Sequence, residues 1–351
     1  MRIAIVNHDT SHGPRDVEDG RFGAAQLAPE LLARALADRG HDVWRVSRYG
    51  DGCGAYGVKH GSAPGPFDAV IANRQVQWAD GVDALTRWVW VHDAWGHNCG
   101  YFAERPDVHV VAVSRWQAAN LASALPVPVY GIVPVGAPPE LAEYPIEHGL
   151  NVYTCGMWVE CRGTLRALQA FRLASESVEG LTLHMYGDET LWASGRGEYG
   201  RKVLDLATTM GKRVVIHGTL PLPEMLAELR DMHILLHPAT AETCWVSGIE
   251  AALAGKCIIS RKDCAQAERG FGVPTDGTVE QMASVLITLA KNPELYRAEA
   301  ALNRAVARQW TWPAVAAAWE AMIEGCPLPC SVPDGFEGVG EGLDVPAEGS
   351  D

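Results

Sequence analysis

No apolar run in the chain approaches the roughly 20 residues that a membrane-spanning helix requires, so no segment reads as a bilayer span. Positive charge is also in deficit: 29 lysines and arginines stand against 43 aspartates and glutamates, a net charge of −14. A nucleic-acid backbone is held by surplus positive charge, and neither half has it, with −5 over residues 1–150 and −3 over residues 151–330. Nucleic acid is therefore disfavoured as a partner. Six acidic and no basic residues fall in residues 331–351 alone. Nine cysteines, an odd number spread over a long chain, make no disulfide framework, and reduced thiols in the cytoplasm are expected. The opening Met1-Arg2-Ile3-Ala4-Ile5-Val6-Asn7-His8 is short and lacks a small-residue cleavage site, which reads as a first strand and not a signal peptide.

What the chain does contain is a globular composition, 48% hydrophobic and 21% charged, over 351 residues. That length suits two α/β domains of about 150 residues each and a tail. Strand-like runs at 2–7, 42–46, 67–72, 88–92 and 108–113 alternate with helical runs, which predicts parallel sheets wrapped by helices. Leu27, Leu31, Leu32, Ala35 and Leu36 recur at helical spacing, and Gly40 stops that helix. Ser114 is placed to cap a second helix. Pro134 to Gly149 is rich in proline and glycine, without a period, and suits an interdomain linker. Beyond it the strand-helix rhythm restarts at 151–155 and continues through 234–237, so a second doubly wound domain is expected. The expected division is an N-terminal Rossmann-like domain over 1–140, a second one over 141–311, a final helix over 312–325 and an acidic, disordered tail over 326–351.

The segment from His237 to Ser260 carries the chemistry. It reads strand, loop, helix, glycine stop, strand, with Glu242 in the loop and Glu250 eight positions on, inside the helix. In open α/β sheets ligands bind at the carboxyl ends of the strands. A helix that starts around Cys244, Trp245, Val246 and Ser247 aims free N–H groups and a partial positive charge at that crevice, where a diphosphate is favoured. Carboxylates beside an anion site are suited to accepting hydrogen bonds from sugar and ribose hydroxyls. Two isolated glutamates would ordinarily be solvated surface charges.

Glu242 and Glu250, framed by Pro238, Ala251 and Gly255, resemble the E-x7-E signature of glycosyltransferase family 4. The similarity extends over about residues 1–324. It implies a GT-B fold: two Rossmann-like domains facing across a cleft, with the C-terminal helix crossing back to the N-terminal domain. The resemblance gives Glu242 to the donor sugar and Glu250 to the ribose. Gly156, Met157 and Arg162, in the run from Val152 to Gly163, are similar to the family's G-R-x4-K-G, in which two cations clamp the diphosphate. Arg162 keeps one charge, and Met157 stands where the other is expected, with Arg261 and Lys262 as candidate substitutes. Gly23, at the entry of the first helix, looks like the family's glycine loop, and His92, ending an apolar strand, resembles its cleft histidine. Gln309-Trp310-Thr311-Trp312 is similar to the start of the crossing helix.

His92, His97 and Cys99 do not have a recognised zinc spacing, and there is no D-x-D motif of the kind metal-dependent transferases use. No metal and no cofactor are expected beyond the nucleotide-sugar itself. His8, Asp93 and Trp95 are candidates for the acceptor side, and Trp78 is considered with Trp95 for stacking on a ring. The resemblance thus implies a metal-independent, hexosyltransferase-like enzyme. It moves a sugar from a nucleotide-sugar, UDP-sugar before GDP-sugar, to a hydroxyl of a saccharide or small molecule with retention of configuration. The assigned roles are His92, Glu242 and Arg162 at the reaction centre, with Gly23, Gly156, Met157, Cys244 to Ser247 and Glu250 holding the donor. The alternatives are a nucleotide-sugar-binding protein impaired in catalysis, or an epimerase or hydrolase on the same fold. The first helix balances Glu30 and Asp38 against Arg34 and Arg39, so peripheral docking on anionic membrane is not favoured.

Overall fold

The computed structural model describes residues 1–7, 24–46, 57–61, 65–93, 102, 105–125, 128–187, 197–263, 265 and 268–325. Two parallel sheets organise it. The first contains β1 (Arg2–Val6), β2 (Asp42–Val46), β3 (Lys59–His60), β4 (Phe67–Asn73), β5 (Ala84–Val91), β6 (Val108–Ala112) and β7 (Val129–Ile132), in the order β3-β2-β1-β4-β5-β6-β7. Helices α1 (Ala24–Asp38) and α2 (Arg115–Ala124) belong to this half. The second contains β8 (Asn151–Cys155), β9 (Thr182–Tyr186), β10 (Val214–Gly218), β11 (Ile234–His237), β12 (Cys257–Arg261) and β13 (Val273–Thr275), in the order β10-β9-β8-β11-β12-β13. Its helices are α3 (Thr164–Ser175), α4 (Gly197–Met210), α5 (Leu222–Glu228), α6 (Val246–Leu253), α7 (Val279–Lys291) and α8 (Pro293–Ala307), followed by α9 (Trp312–Ile323).

The strands read as apolar runs because parallel sheets are covered on both faces. Ile3, Ala4, Ile5 and Val6 are all fully buried, as are Ile234, Leu235 and Leu236. Ser114 caps α2 as its position predicts, its hydroxyl accepting the Gln117 N–H at 3.0 Å. The two halves share one apolar cluster. It runs from Ile3, Ile5, Leu32 and Leu36 through Trp88 and Trp90 to Trp319 and Val315, and on to Tyr153, Trp245 and Ile249.

The final helix packs on the first domain as the resemblance implies. Trp319 lies edge-on to Trp88 and Trp90, with ring centroids 6.2 and 5.7 Å away. Arg39, at the end of α1, donates to Glu320. Backbone bonds between Ala137 and the Trp310–Trp312 segment, at 2.8 and 3.0 Å, tie the linker to the start of α9. Among the described residues no helix is long and apolar enough to cross a membrane. Trp78 is packed with Val6, Phe67 and Val70, so it is a core residue and not a ring-stacking platform.

Trp319→Ala removes the fully buried ring that bridges the domains, and a loss of about 3–5 kcal/mol in urea-denaturation stability is expected.

Candidate active site

In each sheet the strand order reverses beside the first strand of its half, between β1 and β4 and between β8 and β11. Such reversals open a crevice at the carboxyl ends of the strands. The two crevices meet: Thr243 Oγ1, in the loop after β11, donates to the carbonyl of His92, just beyond β5, at 2.8 Å.

The second-domain side is built on close backbone approach. Gly156 leaves β8 with φ +138° and its N–H donates to Tyr186 O at 3.1 Å. A Cβ on Gly187 would lie 2.1 Å from the Gly156 carbonyl, so these loops pack backbone on backbone and only glycine fits there. Arg162 ends a short 3-10 turn, Glu160–Arg162, and its guanidinium donates to the Glu242 carboxylate. Glu242 Oε1 also accepts the N–H groups of Thr243 and Trp245 at 3.2 and 3.3 Å, just ahead of α6. The two residues assigned to sugar and diphosphate therefore hold each other, and the Glu242 carboxylate already occupies the approach to the α6 N-terminus. Val246 and Ser247 form the first turn of that helix, and their N–H groups have no partner among the described residues.

His237 Nε2 lies 3.4 Å from Glu242 Oε2. Burial, followed by the Arg162 charge, pulls the His237 pKa down to about 3, so the imidazole is neutral and this approach is no ion pair. Trp245 adopts φ +62° and stacks its ring on Phe271, which meets Trp310. Cys244 is buried, its sulfur accepting the Val135 N–H at 3.2 Å, so it acts as a seam residue between the halves. Burial pushes up the Tyr153 hydroxyl and the Cys155 thiol, and the Glu250 carboxylate, on the β8 side of α6, adds to both shifts. Burial alone lifts the Glu250 carboxyl to about 7. Met157 is half-buried and carries no charge to the crevice. The candidate substitute Arg261 is committed elsewhere: it makes two bonds to Asp263, at 2.8 and 2.5 Å, and lies against Gly277 past β13. Lys262 follows β12, and its backbone N–H donates to Thr275 O of β13 at 2.9 Å.

On the first-domain side His92 is buried, and burial lowers its pKa to about 3, leaving a neutral ring 4.5 Å from that of Trp90. Asp93 follows and pairs with Arg74 at 2.8 and 2.9 Å. His8, Gly23 and Trp95 lie outside the described residues.

Several residues of the seam carry no local sequence signal. Glu268 accepts the N–H groups of Arg115 and Trp116, the first residues of α2, at 2.9 and 3.2 Å. Buried Arg269 donates to the carbonyls of Val113 and Cys244, at 3.1 and 3.0 Å, and so bonds to both domains at once. In the sequence this pair looks like an ordinary charged loop before Gly270. Among the described residues no three His, Cys, Asp or Glu side chains gather as a metal site would require.

No family model matches the chain, and no curated protein is similar to it in sequence. Solved structures do resemble it. Sucrose-phosphate synthase from Thermosynechococcus elongatus superposes with a TM-score of 0.71 at 15% identity, over 93% of this chain and 98% of that one. Anabaena HepE in complex with UDP-glucose gives 0.69 at 16% identity, over 93% and 100%. WaaG, a glycosyltransferase involved in lipopolysaccharide biosynthesis, gives 0.64 at 17% identity, over 92% and 100%. At these identities the likeness establishes the fold, which is GT-B.

The Glu250 shift sets a pH dependence. A carboxyl whose pKa is raised on folding, from the ordinary 4.5 to about 7, binds more protons folded than unfolded between those values. Its contribution to stability is full below pH 4.5 and is lost as the pH rises through 7. Urea denaturation over a pH series is expected to show this decline, and Glu250→Gln to flatten it.

Proposed function

We propose that the chain is a retaining, metal-independent glycosyltransferase of the family 4 type, active in the cytoplasm on a nucleotide-sugar. The observation that carries this is the convergence of Arg162, Glu242 and His92, far apart in sequence, at the carboxyl ends of β8, β11 and β5. The GT-B neighbours support it, since one was solved with UDP-glucose, and for that reason we favour a UDP-sugar over a GDP-sugar. The acceptor is a hydroxyl of a saccharide or small molecule.

In this assignment Arg162 exchanges part of its bond to Glu242 for the leaving diphosphate, assisted by the Val246 and Ser247 N–H groups. A guanidinium and a helix N-terminus aimed at developing charge are the groups that stabilise such a leaving group. Glu242, partly released, accepts hydrogen bonds from the donor sugar, and Glu250 from the ribose. The neutral His92 lines the reaction centre, and the attacking hydroxyl enters on the face that the diphosphate leaves. Gly156, whose missing side chain faces open space, leaves room for the nucleotide beside β8.

A second assignment, a nucleotide-sugar-binding protein without turnover, is favoured by one observation. Met157 supplies no second cation, and one proposed substitute, Arg261, is bonded to Asp263. An epimerase or hydrolase on the same fold is the other alternative.

The test is incubation of the purified chain with UDP-, GDP- and ADP-sugars and a pooled acceptor library, following nucleoside diphosphate release and analysing the products. Turnover that requires one donor and disappears in Glu242→Ala is expected. Met157→Arg is expected to raise turnover roughly ten- to a hundredfold, the worth of one charge-assisted hydrogen bond. A donor that raises the melting temperature with no release, even in Met157→Arg, would favour the binding-only assignment.

A further inference from the structure

We propose that Arg74 and Asp93 form the acceptor subsite and that it takes a neutral, hydroxyl-rich molecule in preference to a phosphorylated or carboxylated one; this rests on the transfer function above. Arg74 is the first residue after β4, one of the two strands flanking the reversal of order in the first sheet. That is the crevice position at which an open sheet receives a ligand. Asp93 lies beyond the neighbouring β5, next to the His92 carbonyl that bonds to Thr243 of the donor loop. The pair thus stands on the side of the cleft opposite Glu242 and beside the expected point of attack.

Backbone conformation singles out the same place. Among the described residues only Arg74, at φ +67°, and Trp245, at φ +62°, are non-glycine residues in the left-handed region. One follows Glu242 by three positions and the other opens the crevice across from it. Strain of this kind persists where the surroundings over-determine it, and clusters at ligand sites. At Arg74 its effect is visible: the N–H continues the ladder to Trp90 O at 2.9 Å, while the side chain reaches Asp93 through Nε and Nη2.

The pair is held firmly but is not sealed. Gln117 Nε2 donates to the Asp93 carbonyl at 2.6 Å, and Gln117 Oε1 is itself fixed by the Val113 N–H at 2.8 Å. Yet the Arg74 and Asp93 side chains remain 23% and 27% exposed. The structural ion pair of the same domain, Arg45 with Glu30, is by contrast 0% and 3% exposed. A fixed, accessible pair is what ligand recognition needs.

Charge then selects the ligand. Among the described residues Arg74 pairs with Asp93, Arg162 pairs with Glu242, and His92 is neutral, so these groups offer no surplus charge to an anion. What remains is hydrogen-bonding capacity. A carboxylate offers about four lone-pair sites, of which Arg74 takes two. A hydroxyl donates to one such site and accepts from an adjacent donor, which a sugar ring or polyol does repeatedly. The buried His92 Nε2, without a partner among the described residues, is a further group for such a hydroxyl to satisfy.

The experiment uses the full chain saturated with UDP, titrated calorimetrically with maltose, methyl glucoside and myo-inositol, and in parallel with glucose 6-phosphate and glucuronate. Transfer from the active donor to each compound is measured alongside. At least tenfold tighter binding and lower KM for the neutral members are expected. Arg74→Gly and Asp93→Asn should each raise the acceptor Kd and KM at least tenfold, with the melting-temperature rise given by UDP retained. Glycine suits φ +67°, which offsets part of the lost ion pair, so Arg74→Gly should keep a cooperative melt while losing the acceptor. Preference for the charged compounds, or Arg74→Gly that loses stability but keeps acceptor KM, would overturn the proposal. Absence of both donor binding and turnover in the parent chain would instead defeat the transfer function, and the subsite with it.

Discussion

The Glu242 carboxylate accepts two backbone N–H groups ahead of α6, pairs with Arg162 from the β8 loop, and belongs to a loop whose next residue bonds to the other domain. Displacing it disturbs all three. A negative charge at a helix entry is favoured by the dipole and by the orphan N–H groups. The same position is where an incoming diphosphate would compete for positive partners. The carboxylate and guanidinium neutralise each other, and under the proposed function a diphosphate would compete with Glu242 for Arg162. The attraction between Glu242 and Arg162 and the backbone bonds to Glu242 offset part of the cost of withdrawing the two charges from water.

The seam between the domains has the same character. Glu268 serves as a cap for a helix of the other domain, and Arg269 bonds simultaneously to the end of β6 and the start of the donor loop. Because these bonds join backbone groups, they fix the position of one sheet edge against the other more closely than apolar contact would. The apolar part of the seam, Trp245, Phe271, Trp310 and Trp319, supplies burial without direction. Arg269, Thr243 and Cys244 each contribute such a directed bond between the loop after β11 and the first half.

Most of the architecture was legible along the chain, because parallel strands buried on both faces must be apolar and helices between them must be amphipathic. The strand at 234–237, the helix from Thr164 and the cap at Ser114 lie where periodicity and capping chemistry put them. The helices Val279–Lys291 and Pro293–Ala307 were not anticipated, although Thr278 and Asn292 cap them and Pro293 opens the second. Polar neighbours along the chain conceal the inward-facing ring of Trp78. Arg261, a candidate to replace the charge absent at Met157, bonds instead to Asp263 two positions on.

The sequence by itself determined the alternation of elements, the spacing of Glu242 and Glu250 across a loop and a helix, and the uncharged Met157 ahead of Arg162, since each is a property of neighbours in the chain. Only the tertiary structure decided that Arg162 meets Glu242, that Thr243 reaches His92, and that Arg74 turns onto Asp93. Those pairings depend on strand order and on the docking of two sheets. Strand order is settled by which apolar faces cover one another, a condition on the whole molecule that no local spacing contains.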